Sequence, residues 1–179
     1  MNQVTLNIDG KNIVAQEGDN LLKVARENGF DIPGLCYHKK LTPTGACRLC
    51  TVKITGQNGL VMSCTVTIKE GMAVTAFDNE LEENRRHTLN YLLAEHNSAN
   101  DGSFYDKLNE LAERYNINKP GNNKYQEIYN YIKPVQDNSS PVLDYDASKC
   151  IKCFRCIKAC DEVQGKNVLS ILFNLISEQ

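Results

Sequence analysis

The eight cysteines of this chain fall into two sets, four between positions 36 and 64 and four between 150 and 160, with none in the 85 residues between them. A chain that uses cysteine this way builds two local sites rather than one distributed framework. Its start, Met1-Asn2-Gln3-Val4-Thr5, lacks the basic and then apolar layout of a signal peptide. The chain therefore reads as cytoplasmic, where glutathione and thioredoxin keep thiols reduced and disulfides are rare. Metal binding becomes the leading use for the thiols.

Other functions are disfavoured by what the remaining residues lack. With 20 basic and 22 acidic residues the net charge is -2, which gives no bulk field to draw the chain onto nucleic acid. No run of about 18 or more apolar residues is present, so direct membrane insertion is not expected. A length of 179 residues suits a modest core, or two small ones joined by a linker, rather than one large enzyme fold. There is no GxGxxG or P-loop and no thiol left over for nucleophilic work, so no catalytic site is assigned to this chain.

The patterning predicts an α+β chain. Val4, Leu6 and Ile8 alternate with polar residues, Gly10 punctuates, and Ile13, Val14 and Ala15 resume, which reads as a β-hairpin. From Asp19 to Asn28, Leu21, Leu22, Val24 and Ala25 share one helical face, with Asp19 as N-cap and Gly29 as C-cap. Thr51 to Thr55 and Leu60 to Cys64 read as strands around Gly56-Gln57-Asn58-Gly59, and Ala73 to Ala76 as another. A small mixed sheet crossed by one helix accounts for residues 1–77. Two helices follow, Glu80 to His96 and Phe104 to Tyr115, within a helical segment 78–116. Residues 117–141 read as a linker with a weak helical patch from Tyr125 to Ile132, and 142–179 carries the second cysteine set. The apolar tail from Val168 to Ile176 suits core or a partner surface.

The first set has the spacing Cys36-x10-Cys47-x2-Cys50-x13-Cys64. Soft thiolates suit the iron of an iron-sulfur cluster, and the x2 spacing lets one tight loop aim two sulfurs at one metal region. Gly45 and Ala46 are small enough for backbone amides to approach such a cluster. A structural zinc site also uses four cysteines and a C-x2-C pair, though zinc sites commonly show two such pairs. His38 is read as a surface residue or as one that lies just outside the ligands, since four cysteines complete the shell.

The run Leu35-Cys36-Tyr37-His38, Gly45-Ala46-Cys47-Arg48-Leu49-Cys50 and Ser63-Cys64 resembles the N-terminal region of a family of electron-transfer chains. That family includes the complex I large iron-sulfur subunit, NAD-linked formate dehydrogenase alpha subunits and NAD-linked iron-only hydrogenases. The plant ferredoxin spacing C-x4-C-x2-C is different. The resemblance implies a β-grasp 2Fe-2S ferredoxin-like domain over 1–77, with Cys36, Cys47, Cys50 and Cys64 on the cluster. It also implies a second site, H-x3-C-x2-C-x5-C, for a 4Fe-4S cluster. Here His96 keeps its place, but the cysteine positions hold Asn100, Ser103 and Asn109, none of them a soft thiolate, so this middle site is expected to be lost.

The second set, Cys150-x2-Cys153-x2-Cys156-x3-Cys160, matches the bacterial ferredoxin run for a 4Fe-4S cluster, with Asp161 where a proline usually follows. Lys149, Lys152, Arg155 and Lys158 make a basic edge, read equally as cluster neighbours or as a solvated face. In two-cluster ferredoxins the fourth cysteine of such a run serves the other cluster. The role of Cys160 therefore stays open between closing this cluster and serving another. Residues 142–179 are read as a partial ferredoxin segment, apparently truncated. The expected function is an electron relay between an NAD(P)H- or flavin-linked partner and a catalytic unit of the formate dehydrogenase, hydrogenase or complex I type, within a hetero-oligomer. The alternative is a zinc-stabilised or cluster-poor scaffold.

Overall fold

A computed structural model describes residues 2–95, 106–117, 136–142 and 145–170. Strand β1 (Gln3–Ile8) turns through Asp9 and Gly10, both at positive φ, into the antiparallel strand β2 (Lys11–Gln16). Two left-handed residues give the turn the twist that a two-residue hairpin needs, and an Asp-Gly pair adopts it readily. Val4, Leu6, Ile8 and Ile13 face inward, whereas Val14 points out at 64% exposure because side chains alternate along a strand.

Helix α1 (Leu21–Glu27) buries Leu21, Leu22, Val24 and Ala25 on this sheet. Its N-cap is Asn20 rather than the expected Asp19: the Asn20 side-chain oxygen accepts from the Lys23 amide at 3.1 Å. The same side chain donates through Nδ2 to the Cys64 carbonyl at 2.6 Å, so one residue caps the helix and fixes the last cysteine of the first set. Gly29 sits just past the helix with φ +90, the left-handed C-terminal position expected of it.

A long loop, 28–50, carries three cysteines before strand β3 (Thr51–Ile54). Strand β4 (Val61–Met62) is shorter than the expected 60–64, because the chain tightens at Ser63–Thr65 into a single 3-10 turn. Cys64 therefore lies on that turn and not on a strand. Strand β5 (Ala73–Thr75) inserts between β1 and β3, parallel to the first and antiparallel to the second, giving the order β2-β1-β5-β3-β4. The result is a mixed five-stranded sheet packed on one helix, as expected for residues 1–77.

Helix α2 (Asn79–Glu95) is pinned to the sheet by Arg85, which is fully buried. Its guanidinium donates to the carbonyls of Thr51 and Ala76, each at 2.7 Å, pairs with Glu82 at 2.6 Å, and lies 5.0 Å from the Phe77 ring centroid. Helix α3 (Asp106–Arg114) returns against α2, with Arg86 donating to the Tyr115 carbonyl at 2.7 Å. Arg114 reaches Asp31 in the first unit at 2.6 Å. Leu89, Leu92, Leu93, Leu108 and Ala112 form a second core with Leu35, Cys36, Cys47 and Leu49.

Within the stretch read as linker, β6 (Gln136–Asp137) pairs antiparallel with β7 (Tyr145–Asp146) just ahead of Cys150. A one-turn helix, α4 (Arg155–Lys158), follows and widens into a π-helical turn at Ala159–Val163. The helical patch at 125–132, His96, Asn100, Ser103 and the tail beyond 170 lie outside the described residues. Among those described, no helix is long and apolar enough to cross a membrane.

Replacing Arg85 with Leu strips the donors from two buried carbonyls, and is expected to lower the unfolding free energy by about 2–4 kcal/mol in denaturant titration. Asn20→Ala should cost about 1–2 kcal/mol in the same assay through loss of the cap and of the bond to Cys64.

Candidate metal centre

The loop that delivers the first cysteines is held from outside. Arg26 donates twice to the Ile32 carbonyl, at 3.0 and 2.9 Å, and so fixes the approach to Cys36. Gly34 sits in close quarters: a Cβ there would lie 3.1 Å from the Arg26 guanidinium and 3.7 Å from the Cys50 side chain. Gly45 has φ +65, which calls for glycine's conformational freedom, with Met62 and Thr65 packed over it.

Cys36, Cys47, Cys50 and Cys64 are all buried and brought together. They divide between the two cores, with Cys50 and Cys64 in the first and Cys36 and Cys47 in the second. Their sulfurs are linked in one chain. Cys36 is held low, to about 2, first by hydrogen bonds from the Cys47 and Cys64 thiols, and Cys50 is drawn to about 7 chiefly by Cys64. Cys47 and Cys64, as the donors, are pushed up, and burial pushes them further.

Backbone donors surround these sulfurs. The Cys47 sulfur accepts from the Leu35 amide at 3.4 Å. The amides of Leu49, Cys47 and Cys64 favour the thiolates of Cys47, Cys36 and Cys50 respectively, and the Thr44 side chain favours that of Cys36. The Thr44 oxygen itself accepts from the Ala46 amide at 3.4 Å. Such donors favour anionic sulfur, so the site fits a thiolate-bound metal group. A two-iron cluster spreads its four cysteines over two metals.

The second set repeats the same device. The Cys150 sulfur accepts from the Lys152 amide at 3.4 Å, and Cys153 from the Arg155 amide. Non-glycine residues at positive φ turn the chain sharply in both sets: Arg48 at 53°, Lys152 at 53° and Phe154 at 61°. Cys153 is raised, chiefly by burial. Cys150, Cys153 and Cys160 are half-buried and Cys156 is exposed, with Cys160 on the π-helical turn. Ile151 and Cys153 pack against the second core, the one that contains Cys36 and Cys47.

His38 is half-buried on the loop after Cys36, where its Nδ1 accepts from the Lys40 amide at 3.3 Å. Asn109 lies on α3 with its side-chain oxygen buried and without a hydrogen-bond partner. Sequence reasoning missed Asn20 and Thr44. The first had a legible signal as an Asn directly before Leu21-Leu22, whereas nothing in cysteine spacing points to the second.

A family model described as a 2Fe-2S iron-sulfur cluster binding domain matches residues 1–78. The chain is 31% identical to the gamma subunit of the NAD-reducing hydrogenase HoxS of Cupriavidus necator over 173 residues, covering 94% of this chain and 70% of that one. It is also 31% identical to a subunit of NADH-quinone oxidoreductase of Rhizobium meliloti, spanning 90% of this chain but only 19% of the relative. A chain of the crystal structure of NAD+-reducing [NiFe]-hydrogenase in the H2-reduced state superposes with a TM-score of 0.80 at 29% identity, over 95% of this chain and 70% of that one. With an N-terminal 2Fe-2S cluster binding domain and this likeness along most of its length, the chain belongs to the family that joins the gamma subunit of NAD-reducing hydrogenase to its counterpart in NADH-quinone oxidoreductase.

Proposed function

We propose that this chain is an electron-relay subunit in which Cys36, Cys47, Cys50 and Cys64 hold a 2Fe-2S cluster and Cys150, Cys153 and Cys156 hold a 4Fe-4S cluster, with Cys160 as its candidate fourth ligand. The observation that carries this reading is the shared core, since Ile151 and Cys153 of the second set pack into the same apolar layer as Cys36 and Cys47. Two carriers built there would be separated by protein rather than by water. The relatives' names support partners that handle NAD(P)H and a catalytic unit on another chain.

The bound clusters supply one-electron chemistry, and the chain's own residues set its terms. The amides on Cys36, Cys47 and Cys50 favour the more negative, reduced state and raise the potential. The buried Leu35 and Leu49 exclude water and act in the opposite sense. A 2Fe-2S centre near about -400 mV would exchange with nicotinamide-linked partners. At the middle site we assign no cluster, because Asn100, Ser103 and Asn109 replace the thiolates.

Anaerobically purified protein is expected to contain about six irons and to show two separable signals on reduction, read by metal analysis and low-temperature electron paramagnetic resonance. Cys64→Ala should abolish the 2Fe-2S signal and keep the other; Cys153→Ala should do the reverse. Loss of the second signal in Cys160→Ala would show that this cysteine closes its own cluster. Colourless protein with stoichiometric zinc would refute the relay.

A further inference from the structure

The two cysteine sets touch at a second point, which is polar. The backbone amide of Thr42 donates to Glu162 Oε2 at 2.7 Å, joining residues 120 positions apart. The other carboxylate oxygen, Oε1, meets Lys158 Nζ at 2.9 Å, one turn back along the chain. Thr42 belongs to the loop that runs from Cys36 to Cys47. Two residues on, the Thr44 hydroxyl oxygen accepts from the Ala46 amide at 3.4 Å. Glu162 stands two residues past Cys160 on the π-helical turn, where Gln164 donates to the Ala159 carbonyl at 3.0 Å. The C-terminal segment is thus held at two places: through Glu162 at the Thr42 amide, and through Ile151 and Cys153 against the second core, to which Cys36 and Cys47 of the loop belong.

We propose that Glu162 is a positioning residue that clamps the Cys36–Cys47 loop onto the C-terminal segment and so fixes the separation and relative orientation of the two cysteine sites. The inference rests on the relay reading for its purpose, but the clamp itself is a contact of this chain alone. A carboxylate suits the task because it can only accept, and a charged acceptor shortens and strengthens its bond to an amide. Lys158 holds one oxygen and leaves the other aimed at Thr42. Exposed ion pairs contribute little to global stability, so the effect of Glu162 is on local geometry and not on whether the chain folds. Two packed points of contact define an orientation that one alone would leave free to pivot.

The test uses the full chain, purified anaerobically, as wild type, Glu162→Ala and Glu162→Gln. Hydrogen exchange at the Thr42 amide should accelerate roughly tenfold in Glu162→Ala and by less in Glu162→Gln, which keeps one neutral acceptor oxygen. In the reduced protein, the 2Fe-2S resonance of Glu162→Ala should saturate at lower microwave power, because its coupling to the neighbouring paramagnet weakens at unchanged iron content. Glu162→Gln should fall between Glu162→Ala and wild type. Unchanged exchange and saturation in Glu162→Ala would overturn the clamp. Iron-free wild-type protein would overturn the relay reading and the coupling with it, while the exchange result would still decide the contact.

Discussion

Four sulfurs that carry negative charge when they bind metal are held away from water, and much of the surrounding architecture answers to that constraint. Burying anionic sulfur is costly unless donors replace the lost hydration. The chain supplies them from the backbone, with the Leu35 amide on the Cys47 sulfur and the amides of Cys47, Leu49 and Cys64 favouring the thiolates beside them. Amides can point at sulfur only if the loop is wound tightly, and the left-handed conformations of Gly45 and Arg48 wind it. The sheet and its helix supply one wall and the paired helices the other, so the site forms only where both cores meet.

Much of this is legible in the sequence. The hairpin, the helix on the sheet and the paired helices announce themselves through periodicity, because each buries one face against a neighbour. The four thiols announce themselves through type and spacing. The rest depends on contacts that local sequence does not encode. Asn20 displaces Asp19 as the cap because its amide also reaches Cys64, 44 positions away. Cys64 leaves its strand because β4 ends in a tight turn stabilised by that contact and by the Ser63 hydroxyl, which donates to the Cys50 carbonyl at 2.7 Å. Arg85 is the starkest case. Along the sequence it is one charge among many on a polar helix, yet it satisfies two strand-end carbonyls in the interior.

The second core gives the helical segment a role at the first site. Leu89, Leu92, Leu108 and Ala112 share that core with Leu35, Cys36, Cys47 and Leu49. The paired helices therefore close one side of the first site. Arg86 and Arg114 lock that arrangement by tying α2 to α3, and α3 to Asp31. The segment persists as a wall whether or not it carries a group of its own.

The two sets differ in one respect that bears on how the chain ages. Cys36, Cys47, Cys50 and Cys64 are shut inside the two cores, whereas Cys156 is exposed on α4. Oxidation of cysteine through sulfenic to irreversible acids proceeds where oxidant can reach the sulfur. The C-terminal set is therefore the one that an oxidant in solution reaches first, while the first set is shielded by the same packing that positions it.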